Sequence, residues 1–239
     1  MDKLWAYLTA AQDAPPAWVA LVAALAALIL VGTRATWPLS RGLITIAHEG
    51  GHALAALLTR RKLQGIRLHS DTSGVTLTRG RPNGPGMVLT ALAGYIAPSL
   101  LGLAAAWLTA QGRITLLFWA VLLFLTCMLL LIRNLYGGLI LLVTGGAVFA
   151  LSMYLPEQGQ QFAAHLGVWF LLFGGVRPIL ELQRKRRRHQ APDSDADQLA
   201  RLTFLPGGFY VLFFLLVSGV AVAGGGWLMI RPALAALVG

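Results

Sequence analysis

Seven stretches of the chain are long apolar runs with few interruptions: 17–31, 39–59, 86–110, 114–132, 138–155, 162–180 and 207–230. The hydrocarbon core of a bilayer is about 30 Å thick and takes about 20 helical residues to cross. The pattern therefore predicts an all-α polytopic membrane protein of about seven transmembrane helices. The interval after the second run is different. Residues 63–78 read LQGIRLHSDTSGVTLT, with Ile66 and Leu68, then Val75 and Leu77, alternating around a Ser-Asp-Thr-Ser-Gly turn. Period-two alternation about such a turn predicts a small β-hairpin directly after the second helix. The glycine- and proline-rich residues 79–86 then read as a loop.

Composition agrees with the pattern. Of 239 residues, 57% are hydrophobic and only 12% charged, and the mean hydropathy is +0.70. A soluble domain would carry about a quarter charged residues. No long polar segment separates the runs, so residues 1–239 are read as a single integral membrane domain. The first run lacks a small-residue cleavage pattern and is read as a retained span. The one cysteine, Cys127, lies in an apolar run and forms no internal disulfide.

A net charge of +10 raises the question of nucleic acid. The basic residues instead fall into the loops that alternate to one side: Arg60, Arg61, Lys62, Arg67, Arg79 and Arg81, then Arg133, then Arg184–Arg188 and Arg201. Such asymmetry marks cytoplasmic loops. With seven crossings it predicts a multi-pass protein of the cell (inner) membrane, N-terminus cytoplasmic and C-terminus outside. The Arg184–Arg188 cluster then meets anionic lipid of the bilayer, and no nucleic-acid partner is expected.

The second run carries the chemistry. It contains Thr45–Leu54, TIAHEGGHAL, with His48, Glu49 and His52 inside five residues. Residues four apart lie on one helical face. His48 and His52 can thus aim two imidazoles at one ion while Glu49 reaches a water beside it. This is the His-Glu-x-x-His zinc pattern, with glutamate as general base rather than ligand. Zinc brings the pKa of its water toward about 7, ready to attack a peptide carbonyl. A chain of this composition would produce the pattern by accident about once in a thousand. The residues alone leave open a metal-free polar cluster, and also a histidine relay in a small transporter, since ionisable groups at membrane depth mark several kinds of function. Gly50 and Gly51 weaken the helix by about 1 kcal/mol each, a cost that close approach of a neighbouring helix or an extended substrate would offset.

HEGGHALAALL, the hairpin-like GIRLHSDTSGVTLTRG, AGYIAPSLLG in the next span and SDADQLARLTFLPGGFY late in the chain together resemble the site-2 protease class, most closely its M50B-like branch. The resemblance implies an intramembrane zinc metalloprotease cutting membrane-embedded protein or peptide substrates, with His48 and His52 on Zn2+ and Glu49 as base. The alternative is a non-proteolytic relative that binds metal. In the class, a third ligand is an aspartate of a Leu-Asp-Gly-like motif near an asparagine. Here Arg133–Gly138 carries tyrosine at that place. The Ser-Asp-Ala segment of the M50B-like branch points instead to Asp195, with Asp197, Asp193 and His69 as alternatives. Ser194 or Asp195 would also serve as a helix N-cap. Asn134 is expected to hold substrate backbone, or else to cap a helix. Gly94, Tyr95 and Pro98 suggest a span broken near the site or an ordinary proline kink. The hairpin offers a sheet edge to an extended substrate.

Overall fold

The structure is a computed structural model that describes residues 2–238. It is mostly helical. In chain order the elements are α1 (Asp2–Thr9), α2 (Ala17–Gly32), α3 (Trp37–Leu58), β1 (Lys62–Leu68), β2 (Gly74–Arg79), α4 (Pro85–Ala110), α5 (Ile114–Leu131), α6 (Leu135–Tyr154), α7 (Glu157–Arg187), α8 (Asp195–Leu202) and α9 (Gly207–Val238). Each of the seven apolar runs lies in a helix to within one residue at its end. The count of seven crossings is nevertheless not met among the described residues.

Five helices, α4, α5, α6, α7 and α9, are long and apolar enough to cross a membrane singly. The helices α2 and α3 pass only as a pair, bent by 99° at a short break, which raises the number to six at most. The physical reason lies in lengths and breakers. At 1.5 Å per residue, the 16 residues of α2 reach only about 24 Å. Residues 33–36 then end the helix, and Pro38 sits in the first turn of α3.

The break is tied down by hydrogen bonds. The Thr36 hydroxyl donates to the terminal carbonyls of Ile29 and Leu30, both at 2.9 Å. Arg177 of α7 donates to the Thr33 carbonyl at 3.2 Å. Its guanidinium also lies 4.7 Å from the Trp37 ring centroid. Arg177 and Arg41 both approach Glu181, at 3.1 and 3.9 Å, so these three charges cluster beside the elbow.

The two ends of the bundle differ. At one end, Gln12 donates from its backbone to the Gly112 carbonyl at 3.0 Å, and Gln161 donates to the Asp13 carbonyl at 2.8 Å. The start of α2, the end of α4 and the start of α7 therefore meet there. The opposite end holds the hairpin, the end of α3, the start of α4, the end of α7 and α8. Ser99 of α4 donates to Ser218 of α9 at 2.9 Å between these ends, fully buried.

The hairpin forms where the alternation places it, antiparallel, with Ile66 opposite Thr76 and Leu68 opposite Gly74. Ile66 and Leu68 are buried, yet Val75 and Leu77 are 39% and 41% exposed. The outer edge of β1 is taken up by the segment ahead of α6: Ile66 bridges Ile132, and Arg133 N–H donates to the Ile66 carbonyl at 2.8 Å. Among the described residues, β2 has no strand on its other side.

Candidate metal centre

The helix α3 presents His48 and His52 one turn apart on the face that packs on α4. Close packing makes this possible. A Cβ on Gly51 would collide with Ala97 and with the Ala93 carbonyl, and one on Gly94 would run into both imidazole rings. The expectation of close approach at Gly51 is thus met by a neighbouring helix. Gly94 has a specific use too, because it makes room for the rings. The helix α4 runs through Pro98 without interruption, so the broken-span alternative falls away. Tyr95 meets the His48 ring edge-on at 4.8 Å and stacks on Phe214 of α9 at 5.1 Å.

The orientation of His52 is settled by a single hydrogen bond. Its Nδ1 lies 2.7 Å from the Thr90 carbonyl. A carbonyl only accepts, so Nδ1 carries the hydrogen and the neutral ring offers a lone pair at Nε2. Metal-ligating histidines are commonly oriented in this way.

Asp195 reaches the same point from the far end of the sequence. Its Oδ2 lies 3.4 Å from His48 Nε2 and 3.3 Å from His52 Nε2, and the two Nε2 atoms are 3.1 Å apart. His48, His52 and Asp195 form a group able to hold a metal ion. Bonds of about 2.0–2.1 Å at tetrahedral angles put ligand atoms about 3.3 Å apart. The three observed separations match that edge, and two imidazoles with one carboxylate are a zinc donor set, so the residues fit the ion.

Burial raises the pKa of Asp195, and the two facing imidazoles more than reverse this, holding the carboxyl below its usual range. The capping question is answered by Ser194, whose hydroxyl accepts from the Asp197 N–H at 3.3 Å as the N-cap of α8. Asp195 is thereby free to face the histidines.

The other aspartates are engaged elsewhere. Asp197 pairs with Arg186 at 2.7 Å, and Asp193 lies 3.5 Å from Arg201 at the surface. His69 lies at the hairpin tip, 3.2 Å from the Ser73 hydroxyl.

Glu49 is buried, only 4% exposed, on the side of α3 that meets the hairpin. The Thr76 hydroxyl donates to Glu49 Oε2 at 2.6 Å. A Cβ on Gly74 would collide with the same side chain, so the strand approaches Glu49 closely. Sequence reasoning left out Thr76. Its alternation with Val75 and Leu77 was the available signal, since it put Thr76 on the opposite face of β2 from those two.

Asn134 is placed differently from the expectation that it holds substrate. Its amide donates to the Leu68 carbonyl at 2.7 Å and accepts from the Leu68 N–H at 3.2 Å. Both hydrogen-bonding ends of the side chain are taken by protein backbone, and Asn134 splices α6 to the end of β1.

Fold and site together define a helical membrane protein with a two-histidine, one-aspartate cluster beside a buried glutamate. The profile of the Peptidase M50B-like family matches residues 19–225, and the chain belongs to that family. No curated protein and no solved structure matches it.

Proposed function

We propose that this protein is an intramembrane zinc metallopeptidase. The observation that carries the reading is the meeting of His48, His52 and Asp195 within 3.4 Å of one another beside the buried Glu49. Family membership supports peptidase chemistry. Zinc held by His48, His52 and Asp195 would supply an acidified water and polarise the scissile carbonyl. With zinc bound, Glu49 would serve as the general base for that water and as the proton donor to the leaving amine. Thr76 holds the Glu49 carboxylate by a hydrogen bond to Oε2. His52 keeps its lone pair toward the metal because Thr90 holds the other nitrogen.

A substrate helix must unwind to react, since its carbonyls are otherwise hydrogen-bonded within the helix. The free edge of β2, with Val75 and Leu77 exposed on either side of Thr76, supports capture of an extended, membrane-embedded segment by main-chain bonds. The relay alternative is weaker because the family is one of peptidases, and the three converging donors could hold a metal.

Orientation follows from charge. The hairpin end carries Arg60, Arg61, Lys62, Arg79, Arg81, Arg133, Arg184–Arg188 and Arg201, whereas Arg113 and Arg231 are at or near the other end. We place the hairpin end in the cytoplasm. With α2 and α3 as one broken crossing, the protein crosses six times and both ends of the chain lie outside. The cytoplasmic N-terminus expected from seven crossings is thereby replaced.

Metal analysis of purified protein tests the reading. One zinc per chain is expected for wild type and Glu49→Gln, with loss in His52→Ala and Asp195→Ala. Metal-free wild type after purification in zinc-supplemented buffer would overturn it.

A further inference from the structure

We propose that Arg186 is a positioning residue for the metal centre, fixing the rotation of α8 so that Asp195 meets the two histidines. The proposal rests on the zinc reading above and deepens it. The ligand-bearing helix is the weakest mechanical link in the site. It has only eight residues and does not span. Its buried side chains, Ala196 and Leu199, pack on Ile179, Leu182 and Phe214. Apolar contacts of this kind choose the buried face of a helix, but they set its rotation less sharply than directed hydrogen bonds do. A carboxylate lies about 6 Å from the helix axis, so a 20° rotation moves it about 2 Å. Metal sites tolerate roughly a tenth of that displacement.

The rotation is fixed from the opposite side of α8. Residues two apart on a helix point about 200° away from each other, so Asp197 projects away from Asp195. Its carboxylate receives Arg186 Nε at 3.0 Å from both oxygens and Nη2 at 2.7 Å. The Ser194 hydroxyl donates to Oδ2 at 2.6 Å while its oxygen caps the helix. A forked, planar guanidinium sets direction as well as distance. Arg186 itself is anchored, since it lies one turn beyond Leu182, which is buried in the α7 core.

The start of α9 closes the third side. A Cβ on Gly207 would collide with Arg186 Nη2 and crowd Asp197 Oδ1. Three elements thus meet at the one ion pair that sets the azimuth of α8. The pair is partly solvated, with side chains 18% and 25% exposed, so it adds little to global stability. Its contribution is geometric.

The test is zinc affinity of the purified full chain by chelator competition, with the thermal midpoint of the metal-free protein measured alongside. Arg186→Gln and Asp197→Asn are each expected to weaken zinc about 10–100-fold, the range typical of outer partners of metal ligands, with little change in the metal-free midpoint. Arg186→Lys, which keeps the charge but not the fork, should lose less. Arg187→Gln removes an equal charge one residue away and should change nothing. Wild-type affinity in Arg186→Gln overturns the proposal, as does a loss matched in Arg187→Gln or accompanied by an equal fall in metal-free stability. Should Arg186→Gln not fold, Gly207→Ala displaces the guanidinium from outside; the same weakening is expected, and unchanged affinity overturns the proposal. Wild type without zinc overturns the metal reading and this inference together, whereas zinc in wild type with unaffected variants overturns this inference alone.

Discussion

The Thr76 hydroxyl and the Glu49 carboxylate lie 2.6 Å apart, and this hydrogen bond helps tie the hairpin to the helix that carries the histidines. The same hydroxyl is 3.2 Å from the Glu49 carbonyl, so Thr76 grips both the side chain and the backbone of the residue assigned as base. Thr76→Val keeps the shape and removes the donor. A hydrogen bond to a charged group contributes about 1.5–3 kcal/mol, so turnover of a membrane-embedded peptide should fall roughly 10–100-fold. Zinc content should stay at one per chain, and Thr76→Ser should restore most of the rate. Loss of zinc in Thr76→Val would make the contact structural instead.

Gly94 separates packing from ligation. A methyl group there meets His52 Nε2 and Cε1 and His48 Cε1, all parts of rigid rings. Gly94→Ala should leave the helical circular dichroism unchanged and cut zinc affinity at least about tenfold, because the rings must swing away from Asp195. Full zinc affinity in this variant would mean that the rings do not hold the ion where they converge.

Asn134 joins α6 to β1 through two bonds to Leu68. Asn134→Ala should destabilise the end of the hairpin by about 1–3 kcal/mol. Hydrogen exchange reads this out directly, as faster exchange of the Leu68 amide with the α9 amides unaffected. Unchanged exchange at Leu68 would return Asn134 to a role toward substrate.

The six-crossing arrangement has its own test. In a Cys127→Ala background, single cysteines at Asp13 and Gln111 should react with an impermeant thiol reagent from outside the cell. Cysteines at Ser70 and Gln190 should react only after the cytoplasmic face is opened. Labelling of the Asp13 position from the cytoplasm alone would restore seven crossings.

Much of this was legible in the sequence because periodicity and spacing are local. The hairpin announced itself through Ile66, Leu68, Val75 and Leu77, and the histidine pair through a four-residue interval on one face. The elbow at 33–36 was not legible as such, since a bend between two apolar helices leaves the same hydropathy trace as a loop between two spans. The 99° bend and the partners of Thr33 and Thr36, one of them Arg177 far along the chain, show how the backbone turns there. Asp195 could be singled out by resemblance but not by spacing, because its distance from His52 depends on how α4, α7 and α9 stack. Thr76 and Arg186 act through contacts between elements; the strand alternation marks only the face of Thr76, and no local pattern marks Arg186.

The central claim is that one ion is held jointly by His48, His52 and Asp195. Zinc K-edge X-ray absorption on the purified protein measures this most directly. Wild type should show a four-coordinate shell of nitrogen and oxygen near 2.0 Å with the outer-shell scattering of two imidazoles. Asp195→Ala should either lose zinc or change the shell while keeping that imidazole signal. Sulfur scattering, a single imidazole, or an Asp195→Ala spectrum indistinguishable from wild type would contradict the account.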